Sequence, residues 1–218
     1  MKHGFTLAEI LIALSIIGVI SVLTLPNIAS GTNQKANAKL LETANQAINM
    51  ATKQVMMDER VTNLADTVFG SNAGTFLQRY FRLSLYCGDS YTDCLAPSYK
   101  SLSGTASATT ATMLGGKTFY CGATQSGTVI CITNMTTDSG NTHGSSTTVI
   151  DVNGKKGPNK NGQDLFSFNI YTDGRIGNQY VTSSNDADGT TCNNYRNTAS
   201  YGGACYSKVV ADDWQIKY

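Results

Sequence analysis

The chain has 218 residues, a formal net charge of +1 and only 14% charged residues. Nothing in this near-zero charge suggests a polyanion-binding surface, so no nucleic-acid partner is expected, and the polar quota is filled by Ser, Thr, Asn and Gly instead. Beyond an apolar N-terminal stretch about 190 residues remain, enough for one domain with its own core.

The chain begins MKHGFTLAEILIALSIIGVISVLTLP, and between Phe5 and Leu25 only Glu9 carries a side-chain charge. About 21 residues at roughly 1.5 Å each span about 30 Å, the hydrocarbon core of a bilayer. A secretory signal peptide places a small-residue cleavage site after its apolar run. Here the short polar piece Met1–Gly4 precedes the run, so cutting after Gly4 removes a leader and keeps the span. An ionised Glu9 in oil costs several kcal/mol unless it finds a partner. Cleavage after Gly4 would create a cationic amine on Phe5, within one helix at the positive macrodipole end and between subunits a partner for Glu9. A plain signal anchor, whose lone Glu snorkels to the interface, is the simpler alternative, but it requires no Gly-Phe-Thr-Leu followed by Glu at this spacing.

The segment Gly4-Phe5-Thr6-Leu7-Ala8-Glu9 and the run to Leu25-Pro26-Asn27 resemble the type IV prepilin family, which includes the pseudopilins of type II secretion systems. The resemblance covers about the first 30 residues. It implies cleavage after Gly4 by a prepilin peptidase, N-methylation of Phe5, and assembly with itself or other pilin-like subunits through an inner-membrane platform. The globular part would then lie outside the cytoplasm, and the filament would be periplasmic or extracellular. Gly18 and Pro26 fall where pilins tend to have helix-weakening residues, and a proline lacking an N–H predicts a kink or local melting.

The expected fold is α+β and pilin-like: a long N-terminal helix, half membrane-spanning and half amphipathic, packed on a disulfide-stapled antiparallel sheet. The expected segments are a leader at 1–4, a transmembrane or filament-core helix at 5–26, an amphipathic half-helix at 27–58 and a globular domain at 59–218. Leu40, Leu41, Ala44, Ala47, Ile48, Ala51 and Val55 recur at helical spacing and predict one packed stripe. Lys39, Asn45, Asn49 and Lys53 should face water or neighbouring subunits. One or two short helices are expected over Leu64–Leu85, with Arg79 and Arg82 opposite the aromatics Phe76, Tyr80 and Phe81.

Ser101–Thr112 reads as an exposed low-complexity loop. Lys117–Cys121 and Thr128–Thr133 form an expected hairpin joined by residues 122–127, with Cys121 facing Cys131. Asp138–Ser146 reads as loop and Thr147–Val152 as a strand. Leu165–Tyr171 alternates as a half-buried strand does, and Thr172-Asp173-Gly174 turns it into a return strand over Arg175–Val181.

All six cysteines, Cys87, Cys94, Cys121, Cys131, Cys192 and Cys205, follow the apolar segment, on the side that would face an oxidising compartment. Their clustering favours sequential pairing among the 15 possible connectivities. Zinc is the rival, but no pair has Cys-x-x-Cys spacing and only His143 would survive loss of the leader with His3.

Between Asp151 and Asp164, alternate oxygen-bearing residues at Asp151 and Asn153, tight-turning glycines and Asp164 suggest a possible calcium loop, though Lys155 and the missing twelfth-position Glu depart from an EF-hand. The loop looks like one in many pseudopilin-like proteins. The alternative is Asp and Asn side chains bonding their own backbone. Asn185-Asp186-Ala187-Asp188-Gly189 is a weaker second cluster. In the tail, Trp214 should pack. The Cys192–Cys205 loop, with Tyr195 and Tyr201, resembles the C-terminal disulfide loop that shapes the filament surface of many pilins.

No HExxH, GxSxG, phosphate loop or dinucleotide fingerprint is present, so no enzyme is expected. The expected function is a structural filament subunit. The alternative is a minor pilin acting as tip adhesin or receptor.

Overall fold

The computed structural model describes residues 7–136, 144–177, 192, 193, 197 and 205–218, without side-chain detail for 21–32. Contacts divide the chain into two units, one ending at Ala36 and one running from Asn37 to Tyr218.

Helix α1 is assigned over Leu7–Glu59, through both Gly18 and Pro26, so the chain does not melt at Pro26. A proline removes one donor, which the remaining ladder on either side tolerates. In the first unit, Leu7, Ile10, Leu11, Ile12, Leu14, Ile16, Ile17, Val19 and Ile20 are all exposed. The Ser15 hydroxyl donates to the Leu11 carbonyl at 2.8 Å, the usual way a helix satisfies a hydroxyl among apolar neighbours. Among the described residues no helix is long and apolar enough to cross a membrane.

In the second unit the helix buries Ala38, Leu41, Ala44, Ile48, Ala51 and Val55 at intervals of three and four. Leu40 and Ala47, at the margins of that stripe, are half-buried, and Lys39 and Lys53 are exposed. Asn45 departs from the expected outer face: its side-chain oxygen accepts the Tyr206 hydroxyl at 2.6 Å. A tyrosine arriving from the far C-terminus is invisible to local periodicity.

After a 3-10 turn at Leu64–Asp66, helices α2 (Val68–Ser71) and α3 (Ala73–Tyr80) follow. The Thr67 and Asn72 side chains cap them by accepting the Phe69 and Thr75 amides. Phe69 and Phe76 stack with centroids 4.3 Å apart in the core. The helix ends at Tyr80, and the expected helical region to Leu85 is instead the start of strand β1 (Leu83–Gly88).

The main sheet is antiparallel and six-stranded, in the order β1-β4-β5-β6-β7-β8. Its further members are β4 (Tyr120–Thr124), β5 (Val129–Ile132), β6 (Ser145–Asp151), β7 (Leu165–Tyr171) and β8 (Ile176–Gly177). The β4–β5 turn is tighter than expected, because Gly122-Ala123-Thr124 stays in the ladder and Gly127 turns the chain with φ of 85°. The expected Asp173-Gly174 turn is present, with Gly174 at φ of 84°.

Ile130, Ile132, Ile150, Phe166, Phe168 and Ile170 share one core with the α1 stripe. The opposite face is also covered, which corrects the half-buried reading of Leu165–Tyr171. Cys121, Cys131, Val149 and Leu165 pack there with Leu95, Tyr99, Met113, Leu114 and Phe119. This second layer comes from residues on either side of the segment read as an exposed loop: β2 (Ser98–Lys100) before it pairs with β3 (Ser107–Thr109) inside it, and β3 leads into helix α4 (Thr110–Leu114), so that segment is not structureless. Thr110, Met113 and Leu114 are buried. Their hydroxyl-rich surroundings carry no hydrophobic period, so only tertiary contact distinguishes them from loop.

Candidate functional site

Gly4 and Phe5 lie outside the described residues. Glu9 stands in the first turn of α1, exposed, where a carboxylate suits the helix macrodipole. Among the described residues nothing lies within 4 Å of where a Gly18 Cβ would stand. The large apolar side chains from Leu7 to Ile20 are all open, and each gains about 1.5–3 kcal/mol on leaving water. The segment of α1 from Leu7 to Ile20 is therefore a surface that favours an apolar environment.

The three disulfides join Cys87 to Cys94, Cys121 to Cys131 and Cys192 to Cys205, the sequential pairs that clustering favours. Cys121 and Cys131 are register partners on β4 and β5, fully buried in the second core. Cys192 and Cys205 pack with Leu102 and Tyr218, fastening the tail to the domain. Helix α5 (Tyr206–Ala211) follows the last cysteine. Trp214 packs beside the Tyr206 ring at 6.3 Å, as expected of an aromatic near a terminus. His143, Tyr195, Tyr201 and residues 185–189 lie outside the described residues.

The loop after β6 is held by two buried carboxylates. Asp151 accepts the Tyr99 hydroxyl at one oxygen and the Asn153 amide at the other, 3.1 Å away. Asp164 accepts the amides of Asn159 at 2.6 Å and Lys160 at 2.5 Å. The Asn153 side chain is satisfied with its nitrogen 3.0 Å from the Lys156 carbonyl and 3.1 Å from Asp151 Oδ1.

Burial pushes the Asp151 carboxyl up to about 8, against the opposing hydrogen bond from Tyr99. Desolvation also raises Asp164 against its amide donors, and raises Tyr99, assisted by the Asp151 charge. No group of three His, Cys, Asp or Glu able to hold a metal occurs among the described residues. A cation seated between Asp151, Asn153 and Asp164 would have to displace these bonds.

The same loop ties several elements together. Asn37 on α1 donates to the Gln163 carbonyl at 3.0 Å, and Tyr218 donates to the Gly162 carbonyl at 2.8 Å. Gly162 sits at φ of 79°, and a Cβ there would stand 3.1 Å from Cys205 Sγ, so only glycine fits both the turn and the disulfide. Lys100 on β2 exchanges backbone bonds with Asn159 and Asn161. This hub was not legible in sequence, since its partners lie up to 126 residues apart.

Residues 1–25 match the family model described as the prokaryotic N-terminal methylation motif. No curated protein and no solved structure matches the chain. The chain thus carries, at its N-terminus, the methylation motif characteristic of the type IV prepilin and pseudopilin family.

Proposed function

We propose that this protein is a structural subunit, a pseudopilin or pilin, of a bacterial type II secretion or type IV pilus filament. The observation that supports this most is the methylation motif opening a helix whose large apolar side chains from Leu7 to Ile20 are exposed. Such a surface is stable in a bilayer before assembly and in a helical filament core afterwards. A prepilin peptidase cuts after Gly4, Phe5 is methylated, and a single span over 5–26 holds the subunit in the inner membrane. An assembly platform then extracts it, and Glu9 pairs with the Phe5 amine of a neighbour, which fixes the axial register. The domain from 37 onward stays outside the cytoplasm, where the three disulfides persist. Its role is polymerisation and not catalysis.

Glu9→Leu tests the pairing. Membrane insertion and processing should survive while incorporation into sheared filaments falls sharply. Normal filament yield from that variant contradicts the mechanism.

A further inference from the structure

The net charge of +1 conceals a local excess of cations at one end of the second unit. The Val152 amide donates to the Asp164 carbonyl at 2.8 Å, so the chain leaves β6 and rejoins β7 at the same end of the sheet. The loop between carries Lys155 and Lys156, both exposed, and half-buried Lys160. A backbone bridge sets Lys160 beside exposed Lys100, and the Lys160 ammonium reaches over the β2–β3 turn, 3.8 Å from where a Gly104 Cβ would stand. Among the described residues none of these four lysines takes part in a salt bridge.

Nothing local offsets them. Neither Val152 to Gln163 nor Ser98 to Thr112 contains an acid. The flanking Asp151 and Asp164 are buried and turned toward Tyr99 and backbone amides. Neighbouring charges on α1 and on the tail that reaches Gly162 cancel one another. Lys39 pairs with Glu42 at 2.8 Å, Lys208 pairs with Asp212 at 2.9 Å, and exposed Asp213 and Lys217 have opposite signs.

This is also the end at which the chain enters the unit. Asn37, the first residue of the unit, donates to the Gln163 carbonyl at 3.0 Å. Residues 27–36 alone separate it from the span proposed over 5–26, so even full extension of that stretch holds this end within about 40 Å of a bilayer surface. Lys53, farther along α1, stands about 24 Å of helix beyond Asn37. A basic cluster near a membrane anchor gains about fivefold in attraction to anionic headgroups per lysine, over a reach of about one Debye length, roughly 8–10 Å.

We propose that Lys100, Lys155, Lys156 and Lys160 form a docking face for the phosphate headgroups of an anionic lipid surface, seating the second unit on the bilayer that holds the chain before assembly. The contact rests on the membrane-anchored subunit reading and names the surface that its exported unit meets.

The test uses the full chain in lipid nanodiscs of phosphatidylcholine alone or of phosphatidylcholine mixed with phosphatidylglycerol, with the acylation rate of each lysine read by mass spectrometry. Phosphatidylglycerol should slow acylation of the four lysines about fivefold and leave exposed Lys53 unchanged, and about 1 M salt should abolish the protection. Lys155→Gln/Lys156→Gln should at least halve the protection of Lys100 and Lys160. Each variant is its own control in phosphatidylcholine, so a folding defect cannot imitate that loss. Equal acylation in the two lipids, equal protection of Lys53, or undiminished protection in the Gln variant overturns the contact and leaves the span intact. Equal protection in phosphatidylcholine by added inorganic phosphate or duplex DNA assigns the face to a free anion or to nucleic acid, and overturns the lipid. A chain that fails to enter phosphatidylcholine discs overturns the span and the contact with it.

Discussion

Raising the pH from 5 to 7 should destabilise the second unit, and Asp151 should account for most of the effect. Asp151 is fully buried and holds its proton up to about 8, whereas an unfolded aspartate releases it near 4. Across that window the unfolded chain binds fewer protons than the fold, so stability is fully present below the ordinary carboxylate value. It is lost as pH rises toward 8, at about 1.4 kcal/mol per pH unit. Two units therefore remove about 3 kcal/mol, or about 6–12 °C in Tm for a domain of this size. Asp164, also raised by burial, acts in the same direction. Asp173, lowered by the Arg175 contact despite partial desolvation, acts oppositely but only as pH falls through its own depressed value, below this range. Thermal unfolding of the full chain in detergent, followed by near-ultraviolet circular dichroism, reads the shift. Asp151→Asn keeps an acceptor for the Asn153 amide and should flatten the profile. A flat wild-type profile between pH 5 and 7, or an undiminished slope in Asp151→Asn, refutes the buried-acid account.

Two further predictions concern the frame around the site. Ile48→Ala removes a fully buried side chain from the α1 stripe and should cost about 2–5 kcal/mol, whereas Met50→Ala, two residues on and exposed, should change unfolding by less than about 0.5 kcal/mol; equal costs in chemical denaturation would contradict the assigned face. Replacing Cys121 and Cys131 together by serine should lower stability by about 2–5 kcal/mol, because the pair closes a ten-residue separation inside the second core; an unchanged denaturation midpoint would show that the staple contributes nothing there.

What could be read from the residues alone was whatever a short window encodes. The N-terminal methylation motif is a contiguous pattern, the α1 stripe has a helical period, and the cysteines cluster in near pairs, so each is visible without a partner. The β7 limits, Leu165 and Tyr171, agree with the observed strand because alternation and the Asp173-Gly174 turn bracket it. Strand β1 escaped because it is an edge strand with bulged register, and Leu83 to Leu85 directly follow a helical aromatic repeat. Strand β3 and the start of α4 within Ser101–Thr112 escaped because they are fixed from outside that window: the Thr110 hydroxyl donates to the Ala96 carbonyl, and the flanking Tyr99 and Met113 reach a core formed far away in sequence. The loop from Asp151 to Asp164 showed its oxygen-rich composition but not the donors that occupy those oxygens, since Tyr99 and the Asn159 and Lys160 amides converge only on folding. Asn45 illustrates the same limit in reverse, a polar residue drawn inward by one distant hydroxyl.

The most direct test of the central claim is mass spectrometry of the N-terminus of the chain isolated from cells that possess a prepilin peptidase. A mature chain beginning at Phe5 and carrying one added methyl group on its amine is the predicted result. A chain still beginning at Met1 would contradict the filament-subunit account and leave an anchored domain in its place.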